Sequence, residues 1–483
     1  MSTSKVALFV SLGLLTIQPP LAASRRAVGK RQEEVVAVNS NAKSWRGRAV
    51  DDTDEWGEDE DGFENIKGVV AGSQEEGGAP CGNTERPADS CSGDKPDSRV
   101  HSDKLRGPLH GPVLRSVRDR GLVTTRLSTS SILREHGTWH DDATTKNFEG
   151  ETLGYVTPWH GSGYDFARTF RSKLTYVSPV WYQLRGRYRG PMDGGDGASS
   201  FYLAGGHDFD EAWVSDVRNG GDGGGAAGVT KIVPRVVLEL QAGVRLSRKD
   251  LRQLADLLVT EALERGYDGY VLDVPLSNGI EEFVAEIKSA GEINGKDLLL
   301  IQSVRPGVSL SAHLLDRLVP LIHRFSLMTY DYHPTDEASM GWSSRGSGVP
   351  NSPLSWVREC VEAFAPAGGG SPLRSMVLLG LPFYGYDNGG AITSDDLVWL
   401  IRTEERQHQV LDSEVAAISP ISLDWDPLWR EHVLSYSDGS QNHVATFPTL
   451  AFIQERLDLA NELGVGVAMW ELGQGMPYFF DLF

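Results

Sequence analysis

From residue 151 onward, short runs of β-branched and aromatic residues alternate with longer segments whose apolar positions recur every three or four residues. The short runs predict strands at Thr152–Thr157, Leu174–Trp181, Ile232–Leu240, Gly269–Val274, Leu298–Val304, Phe325–Tyr332, Met376–Phe383 and Val465–Trp470. Several are apolar throughout, as strands covered on both faces of a parallel sheet are. The clearest helix is Ser247–Arg265: Ser247 caps it, Leu251, Leu254, Leu258 and Leu263 form its stripe, and Gly266 stops it. Ile280–Ala290, Ala312–Val319, Leu354–Phe364 and Leu450–Leu463 follow the same pattern. Eight strands with helices between them predict an α/β fold, a TIM (β/α)8 barrel over residues 146–483. An open doubly wound sheet is the alternative, but no Gly-x-Gly-x-x-Gly joins a strand to a helix, so dinucleotide binding has no support. Two stretches exceed a simple βα unit. The Gly-rich Arg185–Gly228 predicts loops, and residues 386–446 predict a small insertion after the seventh strand.

The first 150 residues have a different texture. Lys5 precedes an apolar run from Val6 to Ile17, and small residues end at Ala23. That run is too short to span a bilayer and suits a signal peptide over residues 1–23. Residues 24–145 are expected to be disordered, acidic and Gly-rich, with a self-repelling acidic run at Asp51–Asp61. No later stretch is long and apolar enough to cross a membrane, so a mature chain secreted or held in the lumen of a secretory or lysosomal compartment is expected. The net charge of −20 disfavours nucleic acid and anionic membrane surfaces. The excess lies late: residues 151–483 carry 43 acidic and 26 basic side chains, which suits a neutral ligand better than an anionic one. Arg185, Arg187 and Arg189 are the exception, the one place where an acidic sugar finds counter-charge. Three cysteines rule out a disulfide-dense scaffold. Cys81 and Cys91 can close a small loop or stay free, and Cys360 is expected to be a buried helical thiol. No Cys/His spacing suggests zinc, and no cofactor or metal is expected.

In such a barrel, chemistry sits at the C-terminal ends of the strands. Here those ends are aromatic: Tyr155 and Trp159 on the first, Trp181 on the second, Tyr330 and Tyr332 on the sixth, Tyr384 on the seventh and Trp470 on the eighth. One such residue is ordinarily core. Aromatics at five ends of one barrel suggest flat walls for sugar rings, with polar neighbours for hydroxyls. His160, His207 and His333 are expected in loops.

Tyr267–Pro275, Met328–Tyr332, Leu379–Gly385 and the late Trp470 together resemble, in order, the fourth-, sixth-, seventh- and eighth-strand signatures of glycoside hydrolase family 18, the chitinase family. A second set (Tyr155–Trp159, Ser178–Trp181, Ile232–Arg235, Pro353–Arg358 and Trp470–Gly475) resembles a chitinase-like lectin branch of that family. The resemblance implies a chitooligosaccharide or related N-acetylated glycan as ligand. It implies Trp470 as floor, with Met328, Tyr330, Asp331 and Tyr384 around it, Tyr155 and Asp273 beside it, and Trp159 and Trp181 extending the platform.

One departure decides the expected activity. Active members carry Asp-x-x-Asp-x-Asp-x-Glu on the fourth strand. Here Asp268 matches the first Asp, Val271 replaces the second, Asp273 matches the third, and Pro275 stands at the acid. Positions 271, 273 and 275 of a strand point the same way, and proline has no proton to give. Family members retain configuration by substrate assistance, which still needs that acid. The expectation is a glycan-binding protein without a catalytic residue. The alternatives are a hydrolase with a displaced acid, Glu239 before Asp331 or Glu471, and a protein-interaction module with a vestigial cleft. A sorting receptor or another protein partner fits the first and the last. Asp268 is equally readable as a structural group near the strand start.

Overall fold

The computed structural model describes residues 108–188, 199–219, 229–240, 246–276, 279–308, 310–332, 350–367, 372–410, 421–438 and 440–483. The expected leader, most of the N-terminal acidic region, Cys81, Cys91, Arg189 and His333 lie outside them.

Eight parallel strands carry the fold: β1 (Thr152–Val156), β2 (Tyr176–Pro179), β3 (Lys231–Ile232 continuing as Arg235–Glu239), β4 (Gly269–Asp273), β5 (Leu299–Val304), β6 (Arg324–Leu327), β7 (Val377–Pro382) and β8 (Gly466–Trp470). Each pairs with the next, and β8 returns to β1 through Val467 opposite Thr152, which closes the barrel. Pro234 lacks a donor and divides β3, yet the ladder continues. The Val233 N–H donates to Val177 O at 2.9 Å, and Pro234 O accepts from Val271 N at 3.0 Å.

Among the described residues, eight helices accompany the strands: α1 (Ser162–Thr169), α2 (Glu211–Asn219), α3 (Arg248–Arg265), α4 (Ile280–Ile293), α5 (Ala312–Leu318), α6 (Leu354–Phe364), α7 (Ser394–Val410) and α8 (Leu450–Leu463). In α3, Ser247 and Asp250 form a reciprocal capping box, and Gly266 ends the helix at φ 70°. Its stripe differs from the expected one. Leu251, Leu254 and Leu258 are buried, but the stripe continues through Val259 and Ala262, while Leu263 is exposed.

Strand alternation produces two cores. Inside the barrel lie Leu153, Tyr155, Tyr176, Val180, Val233, Val271, Ile301, Leu378 and Ala468. The larger core lies between strands and helices and includes Val156, Trp181, Val236, Leu272, Phe325 and Leu379.

Two expectations are corrected. Within the span expected to be disordered, residues 108–145 are folded: His110–Val113 pairs in parallel with Gly137–His140, with a helix at Thr129–Glu135 between them. Val117, Leu122 and Ile132 bury their side chains there, and the His140 N–H donates to Asp481 at 2.8 Å. These apolar residues are too widely spaced to stand out among charges. Arg185–Gly228 is also more than loop. It holds the antiparallel hairpin Tyr182–Tyr188/Ser199–Ala204, whose first strand pairs with β3, and then α2. The stretch after β7 forms a five-stranded antiparallel sheet with α7: Gly385–Asp387, Gly390–Ile392, Ser422–Asp426, Glu431–Ser437 and Asn442–Thr446. Among the described residues, no helix is long and apolar enough to cross a membrane.

Gly380 of β7 is required by close approach. A Cβ there would lie 2.3 Å from Leu327 O and 2.9 Å from the Tyr330 ring. Gly380→Ala is expected to destabilise the fold by about 1–3 kcal/mol through overpacking. Chemical denaturation measures this, and an unchanged midpoint would show that the backbone after β6 gives way freely, together with the Tyr330 ring.

Candidate functional site

The C-terminal ends of the strands bring Tyr155, Arg235, Asp273, Tyr330 and Trp470 together at the mouth of the barrel. The Tyr155 ring packs 5.1 Å from that of Trp470, and its hydroxyl donates to Ser326 Oγ at 3.0 Å. Burial pushes the Tyr155 phenol above its ordinary range, so it stays a donor. Arg235 Nη2 pairs with Asp273 Oδ2, and both side chains are mostly buried, at 17% and 18% exposure. The Arg235 guanidinium lies over the Trp470 ring, 5.2 Å from its centroid. Tyr330 is buried and meets Tyr384 edge to face at 6.2 Å. Met328 is half-buried and lines a cavity of about 260 Å³ with Trp356 and Cys360. Burial raises the Cys360 thiol to about 11, so it is mostly protonated near neutrality.

Asp331 projects from the rim. The Tyr384 and Tyr386 hydroxyls both donate to its Oδ1, Tyr386 at 2.5 Å. Burial and then the Asp331 carboxylate hold both phenols well above the tyrosine range, which keeps them protonated. The Asp331 backbone is left-handed at φ 60°, a conformation that aspartate tolerates. It is fixed by its N–H donating to Asn351 Oδ1 at 2.9 Å, while Asn351 Nδ2 donates to Tyr384 O at 3.1 Å. Behind them, the buried Glu431 accepts from the backbone N–H groups of Asn351 at 3.2 Å and Ser352 at 2.8 Å.

Other expected residues stand elsewhere. Trp181 is corrected: it is 2% exposed in the outer core, donates to the Tyr164 hydroxyl at 2.7 Å, and packs against Phe209, Trp213 and Tyr267. The physical reason is alternation, because Val180 takes the inward place beyond β2. Trp159 is 65% exposed on the loop after β1. Asp268 lies at the opposite end of β4, where it accepts from Arg218 Nη2 at 2.6 Å and the Ile232 N–H at 2.8 Å, a structural role. Val271 is sealed in the barrel interior, and Pro275 follows the end of β4, half-buried. Glu239 is exposed and ion-pairs with Arg185 at 2.9 Å, so that one of the three expected counter-charges is already engaged. Glu471 is buried and accepts from His160 Nδ1 at 2.6 Å and the Gly473 N–H at 3.0 Å. Burial raises its pKa, and the His160 bond ties the loop after β1 to the end of β8. His207 is exposed beside Asp208. Arg235 went unrecognised as a cleft residue. The available signal was a lone cation in the apolar run Ile232–Leu240. Among the described residues, no cluster of His, Cys, Asp or Glu can hold a metal ion.

Beside Tyr386, the insertion sheet holds His443 between two carboxylates. Nδ1 is 3.0 Å from Asp387 and Nε2 is 3.3 Å from Asp438, with the ring stacked on Tyr436. Burial of the ring opposes its charge, but Asp387 and then Asp438 outweigh that, so its pKa is raised. A raised folded-state value adds stability that is full below about pH 6.5 and is lost as pH rises through the folded pKa. Wild type is therefore expected to lose more Tm than His443→Gln between pH 5.5 and 8.5. Equal losses would remove His443 from the pH dependence.

No family model matches the chain. Similar solved structures include the spore cortex-lytic enzyme SleL of Bacillus cereus, 17% identical over 69% of this chain and 73% of that one, TM-score 0.47. A chitinase from Chromobacterium violaceum ATCC 12472 is 17% identical over 69% and 98%, TM-score 0.47. A GH18 chitinase mutant from Cycas revoluta in complex with (GlcNAc)4 is 14% identical over 68% and 97%, TM-score 0.48.

Proposed function

We propose that the chain is a chitinase-like glycan-binding protein that has lost the hydrolytic step. The observation that carries this reading is the state of β4. Its retained carboxylate, Asp273, is paired with Arg235, its preceding inward position is the buried Val271, and proline stands where the acid belongs. The cleft still has the components of a sugar site: the Trp470 floor, Tyr155, Met328 and Tyr330 as walls, and Asp331 and Tyr384 as polar rim. Trp159 is exposed and available to a longer ligand. The ligand class is a chitooligosaccharide or related N-acetylated glycan. Tyr155–Trp159, Pro353–Arg358 and Trp470–Gly475 resemble chitinase domain-containing protein 1, a chitinase-like lectin that interacts with stabilin. A secretory or lysosomal setting, with a sorting receptor or other protein partner, accompanies that reading.

Calorimetric titration with chitooligosaccharides, beside a product assay on the same sugars, tests it. Binding without product is expected. Product that disappears in Glu239→Gln would make the chain a hydrolase with a displaced acid. A glycan panel without any binder, together with capture of a protein partner, would leave only the interaction module.

A further inference from the structure

The floor of the cleft is not free. A pyranose stacked on Trp470 places its ring atoms at van der Waals distance, about 3.5–4.0 Å from the indole plane. The Arg235 guanidinium carbon stands 5.2 Å from the same ring's centroid, inside the volume that such a sugar and its substituents fill. Two attractions hold it there: the Asp273 carboxylate at one end of the guanidinium and the π face beneath it. The arrangement is built in from the strands. Arg235 opens the upper half of β3 and is in register with Val271 of β4, so Asp273 lies one inward step above it. Arg235 Nε is also buried without a hydrogen-bond partner.

We infer that Arg235 is a specificity-determining residue, a built-in occupant of the Trp470 face that excludes a sugar ring from the cleft floor. Bound glycan is then held chiefly by the Asp331–Tyr384–Tyr386 rim and the outer aromatics, and reaches Trp470 only when the Arg235–Asp273 pair is displaced. The inference rests on the glycan-binding reading of the same cleft and says which part of that cleft is used.

A double-mutant cycle on the full chain tests it, with (GlcNAc)4 as titrant in calorimetry. Arg235→Ala is expected to bind at least about tenfold more tightly than wild type. Trp470→Ala is expected to cost Arg235→Ala about tenfold or more, and to cost wild type at least several-fold less. Should Arg235→Ala fail to unfold cooperatively because Asp273 is left without its partner, Arg235→Gln retains a hydrogen-bond donor for that carboxylate and is expected to show the same direction of change. Binding by wild type with no gain in either Arg235 variant overturns the inference alone. So does an equal cost of Trp470→Ala in both backgrounds. Binding that appears only after Arg235 is replaced upholds the inference and overturns glycan binding by the native chain. No binding in any variant overturns both.

Discussion

Arg456→Leu is expected to destabilise the protein by about 3–5 kcal/mol, the largest stability effect of any substitution considered, because it leaves a buried carboxylate without its cation. Arg456 is fully buried on α8. Its guanidinium lies 3.6 Å from Glu431 and donates to Ser352 O at 2.5 Å, Arg430 O at 2.9 Å, Phe452 O at 3.0 Å and Trp429 O at 3.3 Å. Removing it strips donors from these carbonyls as well as the charge facing Glu431. The companion Arg456→Leu/Glu431→Leu is expected to recover only part of the loss. Apolar replacement of a whole buried pair is often tolerated, but here Glu431 also receives two backbone N–H groups, from Asn351 and Ser352. Chemical denaturation of the three proteins measures this. A loss below about 1 kcal/mol for Arg456→Leu would show that the network relaxes or admits water. The same network reaches the cleft, since Asn351 holds both the Asp331 N–H and Tyr384 O. Weakened glycan affinity is therefore expected to accompany the loss of stability.

The barrel was largely legible because its signals are local. Buried parallel strands are apolar runs, and α3 announces itself by Ser247 and Gly266. Elements whose stability comes from distant partners were less visible. Residues 108–145 expose few clustered apolar side chains and are held by groups from the other end of the chain, such as Asp481. The hairpin before α2 is built from Arg-, Gly- and Ser-rich sequence that resembles a linker until its pairing with β3 is seen. In the site, Tyr155, Tyr330, Tyr384 and Trp470 could be placed from strand ends alone. Trp181 could not, because both faces of this strand are apolar: parity runs on through Val180, but no pattern in the segment says which parity faces the cleft, and a choice wrong by one residue moves a side chain from cleft to outer core. Arg235 illustrates the opposite limit. Its role comes from Asp273 on the next strand and Trp470 across the barrel, a relation that no single segment contains.

Neither wild type nor Pro275→Glu is expected to release product from chitooligosaccharides above background, although a positioned general acid contributes roughly 10²–10⁴-fold. A carboxyl group at position 275 has the right parity with Asp273 by alternation, but β4 ends at Asp273, so the new side chain starts from a loop that does not aim it. More importantly, the mechanism that the family resemblance implies needs an Asp free to orient the substrate's acetamido group and a sugar seated on the floor. Asp273 is held by Arg235, and Arg235 covers Trp470. Restoring the acid therefore supplies a proton to a site where no sugar is in place to receive it. Pro275→Glu/Arg235→Ala removes both obstacles and is expected to exceed either single variant by more than the product of their separate gains. Val271 still supplies no second carboxylate, so its rate should stay well below that of an active family member. Product formation over days at high enzyme concentration is the measurement. A gain of 10²-fold or more in Pro275→Glu alone would show that the missing proton was the whole deficit and that the Arg235–Asp273 pair yields readily to substrate.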